Sequence, residues 1–98
     1  MLESEYQAKL IKKLRRMFPD CLILKNDTDY LQGIPDLLIL HNDKWALLEV
    51  KPSEDADTQP NQPYYVRVGN EMSFAAFIYP ENEAEVLNDL RATFRTRR

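Results

Sequence analysis

The chain carries one cysteine and two glycines in 98 residues. A lone cysteine, Cys21, excludes an internal disulfide and any paired-cysteine metal or redox site. Two glycines are too few for a glycine-rich phosphate loop, which leaves nucleotide-dependent chemistry without its motif. The single histidine, His41, has no serine or cysteine placed to complete a catalytic triad, and it is expected at a hairpin turn, exposed to solvent. No apolar run approaches the roughly 18 residues that cross a bilayer. The longest, "LLIL" and "WALLEV", are strand-sized. "MLESEYQAKL" has acidic residues and no apolar centre, unlike a secretory leader, so a cytoplasmic protein with no membrane partner is expected.

What is present describes an ordinary globular chain: 44% apolar and 30% charged residues, enough for one domain over residues 1–98 with one core. The net charge of -3 gives no overall support for nucleic-acid binding, but the charges are unevenly spread. Lys9, Lys12, Lys13, Arg15 and Arg16 fall within one short segment, and Arg91, Arg95, Arg97 and Arg98 close the chain. Acidic residues gather in "EDAD" and "ENEAE". The two basic ends form one patch if the terminal helices lie side by side. Solvated helix faces are the plainer account of the same residues.

Periodicity places the elements. Tyr6, Leu10, Leu14, Met17 and Phe18 recur at spacings of three and four, which predicts a helix from Glu3 to Phe18, stopped by Pro19. "CLILK" reads as a short strand and "NDTDYLQG" as a loop. "LLILH" and "KWALLEV" are strands joined by Asn42-Asp43. A second helix is expected from Pro60 or Asn61 to about Val68, with Gly69 and Asn70 as its stop. "MSFAAFIY" is a further strand, and Glu83 to Phe94 a last helix. Neither hairpin strand alternates, so both faces should be covered. The expected fold is a small α/β sandwich, a mixed sheet flanked by helices in the order α-β-β-β-α-β-α.

The hairpin register organises the charges. With Asn42 and Asp43 as a two-residue turn, Leu38 faces Leu47 and Asp36 faces Glu49. The carboxylates then stand on one face with Cβ atoms about 4.5–5.5 Å apart. Lys51 lies two residues beyond Glu49, on the same face. Opposed carboxylates in an apolar sheet repel unless a shared proton or a cation offsets them, and hard Mg²⁺ prefers such oxygen ligands. A frayed, solvated strand end is the plainer alternative, and a register slip of one residue would part the pair.

At these residues the chain resembles the PD-(D/E)XK nuclease superfamily: Pro35-Asp36, then Glu49-Val50-Lys51. "KNDTDYLQGIPDLL", "LLEVK" and "TQPNQPYYV" are similar to its VRR-NUC branch, which is itself akin to Holliday junction resolvases. The resemblance implies a restriction-endonuclease-like fold and metal-dependent hydrolysis of DNA. Asp36, Glu49, the Val50 carbonyl and Glu3 would be metal ligands, for Mg²⁺ with Mn²⁺ as substitute. Glu3, Asp36, Glu49, Lys51 and Gln62 would be the catalytic set, with Lys51 and Gln62 holding water or phosphate. Glu3 is preferred over Glu5 as the acid of the first helix, because Glu3 borders the core-facing stripe while Glu5 faces Lys9. Pro63 must then sit in the first turn of the second helix.

Lys9, Lys12, Lys13 and Arg16 are the candidate contacts to DNA phosphates. Nothing suggests base readout, so selection of branched or junction DNA by its structure is expected. Symmetric cutting of a junction implies a homodimer, for which Tyr64 and Tyr65 are candidate surface residues or core residues alike. By the same resemblance the setting is intracellular, bacterial or phage. A non-catalytic or partner-dependent DNA-binding subunit with the same fold is the alternative.

Overall fold

The apolar stripe of the first segment winds as expected into α1 (Glu3–Met17), whose Tyr6, Leu10 and Leu14 are buried. In this computed structural model, which describes residues 1–95, six further elements follow. They are β1 (Leu22–Lys25), β2 (Leu37–His41), β3 (Lys44–Val50), α2 (Gln62–Met72), β4 (Phe74–Ile78) and α3 (Glu83–Arg95). Arg97 and Arg98 of the basic C-terminal run lie outside the described residues. The domain is therefore a small α/β fold with a four-stranded mixed sheet and three helices, in the order α-β-β-β-α-β-α.

The strands lie in the order β1-β2-β3-β4. The first three are antiparallel, and β4 runs parallel to β3, a pairing that requires the crossover through α2. Asn42, at φ 56°, makes the tight turn between β2 and β3 and fixes the register His41 to Lys44, Leu38 to Leu47 and Leu37 to Leu48.

The two sheet faces differ. Leu37, Ile39, Ala46, Leu48, Val50 and Ile78 share one face, buried beneath α1 and the Val86, Leu87, Leu90 and Phe94 stripe of α3. The other face is covered by α2 alone, which lies over β3 and β4. Leu22 and Leu24 at the β1 edge stay 64% and 46% exposed, and Leu38, Leu40 and Trp45 are half-buried. Full cover of both faces, expected from the unbroken apolar strands, holds on one face only. One helix is too narrow to roof four strands.

Two further expectations are corrected. The helix after the proline-rich loop does not stop near Val68 but continues through Gly69 to Met72. Gly69 is buried, and a Cβ there would stand 3.0 Å from Ala75 Cβ and 3.0 Å from Leu47 Cδ1. The glycine is a notch that lets α2 lie close on the sheet, while the Asn70 carboxamide accepts the Ala75 amide at 3.2 Å. His41 is half-buried rather than solvent-exposed. Phe18 and Phe94 reach past the strand end and close on its ring, each at 5.3 Å between centroids. No described helix is long and apolar enough to cross a membrane.

Replacing the notch tests its packing role. Gly69→Val should lower stability by about 1–3 kcal/mol, the usual range for overpacking, as read from urea denaturation.

Candidate functional site

A cleft of about 490 Å³ opens where the N-termini of α1 and α2 meet the polar end of the β2–β3 hairpin. Its walls include Glu3, Asp29, Asp36, Glu49, Asp57 and Gln62, with Lys51 as the only basic side chain among the described residues. One wall is the β1–β2 connection. Gly33 there, at φ +92°, lies so close to the start of α2 that a Cβ would stand 2.4 Å from Asn61 Cβ. Only glycine accepts both that backbone angle and that approach.

Strand geometry brings Glu49 and Lys51 together. Both project from the α2 side of the sheet, and both are buried, at 2% and 7% exposure. Asp36 sits one residue before β2 rather than within it, and its Oδ2 accepts the Val50 amide at 2.9 Å. The expected carboxylate pairing survives in altered form: Asp36 turns in to cap the end of β3, and its charge still acts on Glu49. A strand residue presents its amide and carbonyl to the same neighbour, so the Val50 carbonyl also faces the Asp36 side.

Gln62 joins the site as the first residue of α2, with Pro63 following in the first turn where its missing N–H costs nothing. Its Oε1 accepts from Lys51 Nζ at 2.8 Å and from the Gln59 amide at 2.9 Å. Both are pure donors, so the carboxamide has one orientation and its Nε2 donates to Glu49 Oε2 at 2.9 Å. Lys51 also donates to the Asp57 carbonyl at 2.8 Å and stands 3.9 Å from Glu49 Oε2. The Gln62 carboxamide thus bridges Glu49 and Lys51.

Burial, followed by the neighbouring Asp36 charge, pushes the Glu49 carboxyl up to about 8 from its ordinary 4.5. Glu49 Oε1 is buried and receives no hydrogen bond from the described residues. Glu3 lines the same cleft from the first turn of α1, and its carboxyl is raised by partial burial and by Asp36, against the pull of Lys51. Glu5 points elsewhere, accepting the Leu2 amide at 3.3 Å as a helix cap. Among the described residues no three histidine, cysteine, aspartate or glutamate side chains are gathered closely enough to hold an ion by themselves. The Asp36 and Glu49 carboxylates, the latter with its unpartnered Oε1, and the Val50 carbonyl nevertheless make an oxygen-rich donor set suited to a hard cation.

The basic candidates lie apart from this cleft. Lys9, Lys12, Lys13 and Arg16 are exposed along α1. Lys13 pairs with Glu83, which also accepts the Tyr6 hydroxyl at 2.8 Å. Lys13 and Arg16 share a groove with Arg91 of α3, so part of the expected two-ended basic patch does form. Tyr64 is exposed and Tyr65 half-buried, the two rings meeting edge-on at 5.1 Å. Sequence reasoning did not assign Asp57, whose main-chain carbonyl anchors Lys51, because nothing in a polar loop marks which carbonyl will turn inward. Compared with known proteins, the chain matches no family model, no curated protein and no solved structure.

The raised Glu49 carboxyl gives a signed stability prediction for the protein in chelator. Its folded value of about 8 exceeds the ordinary 4.5, so its contribution is complete below 4.5 and is lost as pH rises through about 8. Glu3 acts in the same direction. The urea midpoint should therefore fall between about pH 5 and pH 8.5, and Glu49→Gln should flatten that slope.

Proposed function

We propose that the protein is a metal-dependent nuclease that hydrolyses phosphodiester bonds of DNA, with Asp36, Glu49 and Lys51 at the reacting centre. The observation that carries this reading is Glu49: a buried carboxyl beside Asp36, with one oxygen left without a hydrogen bond. Holding such a group out of water destabilises a fold unless a proton or a cation offsets it, and strongly shifted buried carboxyls gather at functional sites. The likeness of "PD" and "EVK" to the PD-(D/E)XK pattern supports the same reading.

Asp36, Glu49 and the Val50 carbonyl would hold Mg²⁺ or Mn²⁺, with Glu3 contributing from the first turn of α1. A bound divalent ion of this kind acidifies a water molecule and offsets charge on a phosphoryl oxygen. Lys51 spends two of its three donors on Gln62 and Asp57, so its ammonium is fixed with one N–H directed to Glu49 or to a substrate oxygen. Gln62 ties Glu49 to Lys51, accepting from the ammonium and donating to the carboxylate.

The acidic walls would repel a phosphate chain without bound cations, which makes cation loading part of substrate binding as well as of chemistry. Lys9, Lys12, Lys13 and Arg16 supply phosphate contacts outside the cleft. No sequence motif points to base readout, in keeping with selection by DNA structure. Cutting a junction symmetrically needs two sites, hence a homodimer, and the open β1 edge with exposed Leu22 and Leu24 is where a second copy would pair. The protein acts on intracellular DNA, in the cytoplasm. A non-catalytic DNA-binding subunit is the second reading, favoured by the placement of the basic residues away from the carboxylates.

The test is cleavage of labelled duplex, flap and four-way junction DNA with Mg²⁺, with Mn²⁺ and with chelator. Wild type should cut only with metal. Asp36→Asn keeps an acceptor for the Val50 amide and should abolish cutting with the fold intact by circular dichroism. Lys51→Ala should lower the rate by roughly 10²–10³-fold. Cutting that persists in Asp36→Asn, or DNA bound but never cut, would move the assignment to the binding subunit. In the same assay Glu3→Gln should cost far more than Glu5→Gln, and equal losses would remove Glu3 from the site.

A further inference from the structure

Among the aromatic residues one stands apart. Tyr30 is 86% exposed, on the β1–β2 connection that forms a wall of the cleft. Its neighbours Thr28, Asp29 and Gln32 line that cleft, so the tyrosine stands at the rim and points out of the protein. Leu31 beside it is also exposed, at 37%. A tyrosine on a loose loop would mean little, but this loop is held. Asp27 Oδ1 accepts the amides of Asp29 at 2.9 Å and Tyr30 at 3.3 Å. The Leu31 amide returns to the Asp27 carbonyl at 3.3 Å, and the Ile34 amide to Leu31 at 3.1 Å. At the base, Asn26 Nδ2 donates to the Pro35 carbonyl at 2.7 Å, and Asn61 Nδ2 of the α2 N-cap donates to Gln32 at 3.3 Å. Gly33 lets the loop press against Asn61.

The backbone that carries the ring is thus held beside the cleft that Asp36 and Glu49 line, with the ring itself free in solvent. A flat, apolar face with a polar hydroxyl edge, beside a phosphate-processing cleft, matches one ligand chemistry: the face of a nucleobase. In continuous duplex both faces of each base are already stacked on neighbours. A free face exists only at an unpaired, flipped or branch-point base.

We propose that Tyr30 is a nucleobase platform that stacks on an unpaired base next to the phosphate in the cleft, and so selects branched or single-stranded DNA over duplex. This inference rests on the nuclease reading and adds to it the residue that would choose the substrate. The aromatic ring carries the contact, so Phe replaces Tyr and Ala or Leu does not.

The experiment compares wild type with Tyr30→Ala, Tyr30→Leu and Tyr30→Phe on a splayed-arm DNA carrying 2-aminopurine at its first unpaired base. Binding is followed by 2-aminopurine fluorescence in Ca²⁺, and cleavage of the same fork and of matched duplex in Mg²⁺ or Mn²⁺. The exposed position makes all three variants expected to fold as wild type does. Stacking is expected to shift the fluorescence in wild type and Tyr30→Phe. Tyr30→Ala and Tyr30→Leu should lose the shift and bind the fork roughly 5- to 150-fold more weakly, the factor for about 1–3 kcal/mol of base stacking, with duplex cleavage unchanged. Asp36-dependent cleavage with equal fork preference in Tyr30→Ala and wild type would overturn the platform and leave the nuclease standing. Absence of Asp36-dependent cleavage from every substrate would overturn the nuclease and the platform with it.

Discussion

Glu49 is a carboxyl at the end of a central strand, almost wholly withdrawn from water and next to a second carboxylate. Left alone, such a group is among the costlier things a small domain can contain. The polar end of the molecule is arranged around it. Gln62 donates to one oxygen, Lys51 stands across from the same oxygen, and Asp36 is tied back to the Val50 amide. The proton retained by a carboxyl raised to about 8 completes the compensation in the cation-free protein. A divalent cation would replace that proton, and for this reason the same geometry supports the proposed chemistry.

The scaffold makes this affordable by keeping the two ends of the sheet different. At one end Phe18, His41 and Phe94 close in an aromatic cluster. At the other the apolar core stops at Val50 and Ile78, and the N-termini of α1 and α2 are brought to the strand ends. Helix N-termini carry partial positive charge, which suits them to neighbours such as Glu49 and Asp36. Gly69 sets the height of α2 above the sheet, and that height places Gln62 within reach of both Glu49 and Lys51.

Charge is divided between surfaces. The cleft is acidic, while Lys13 and Arg16 of α1 share a groove with Arg91 of α3. Under the proposed function, such a division would give an extended polyanion a resting surface that does not compete for the carboxylates. It also explains how a chain with a net charge of -3 can retain a local basic face.

Local patterns in the sequence were enough for the element order, because each element carries its own signal. The helical stripe of Tyr6, Leu10 and Leu14, the Asn42-Asp43 turn and the flanking prolines act over a few residues each. The turn also fixed the hairpin register, and with it the neighbourhood of Asp36 and Glu49, since the side-chain period of a strand leaves no freedom once the turn is set. What the sequence could not decide depended on contacts between distant segments. Gly69 reads as a helix stop until Leu47 and Ala75 are seen beneath it. His41 reads as a turn residue until Phe18 and Phe94 arrive from two helices. The carboxamide of Gln62 acquired its role only when α2 docked over Glu49 and Lys51, because burial and hydrogen-bond partners are properties of the assembled fold and have no local signature in the chain.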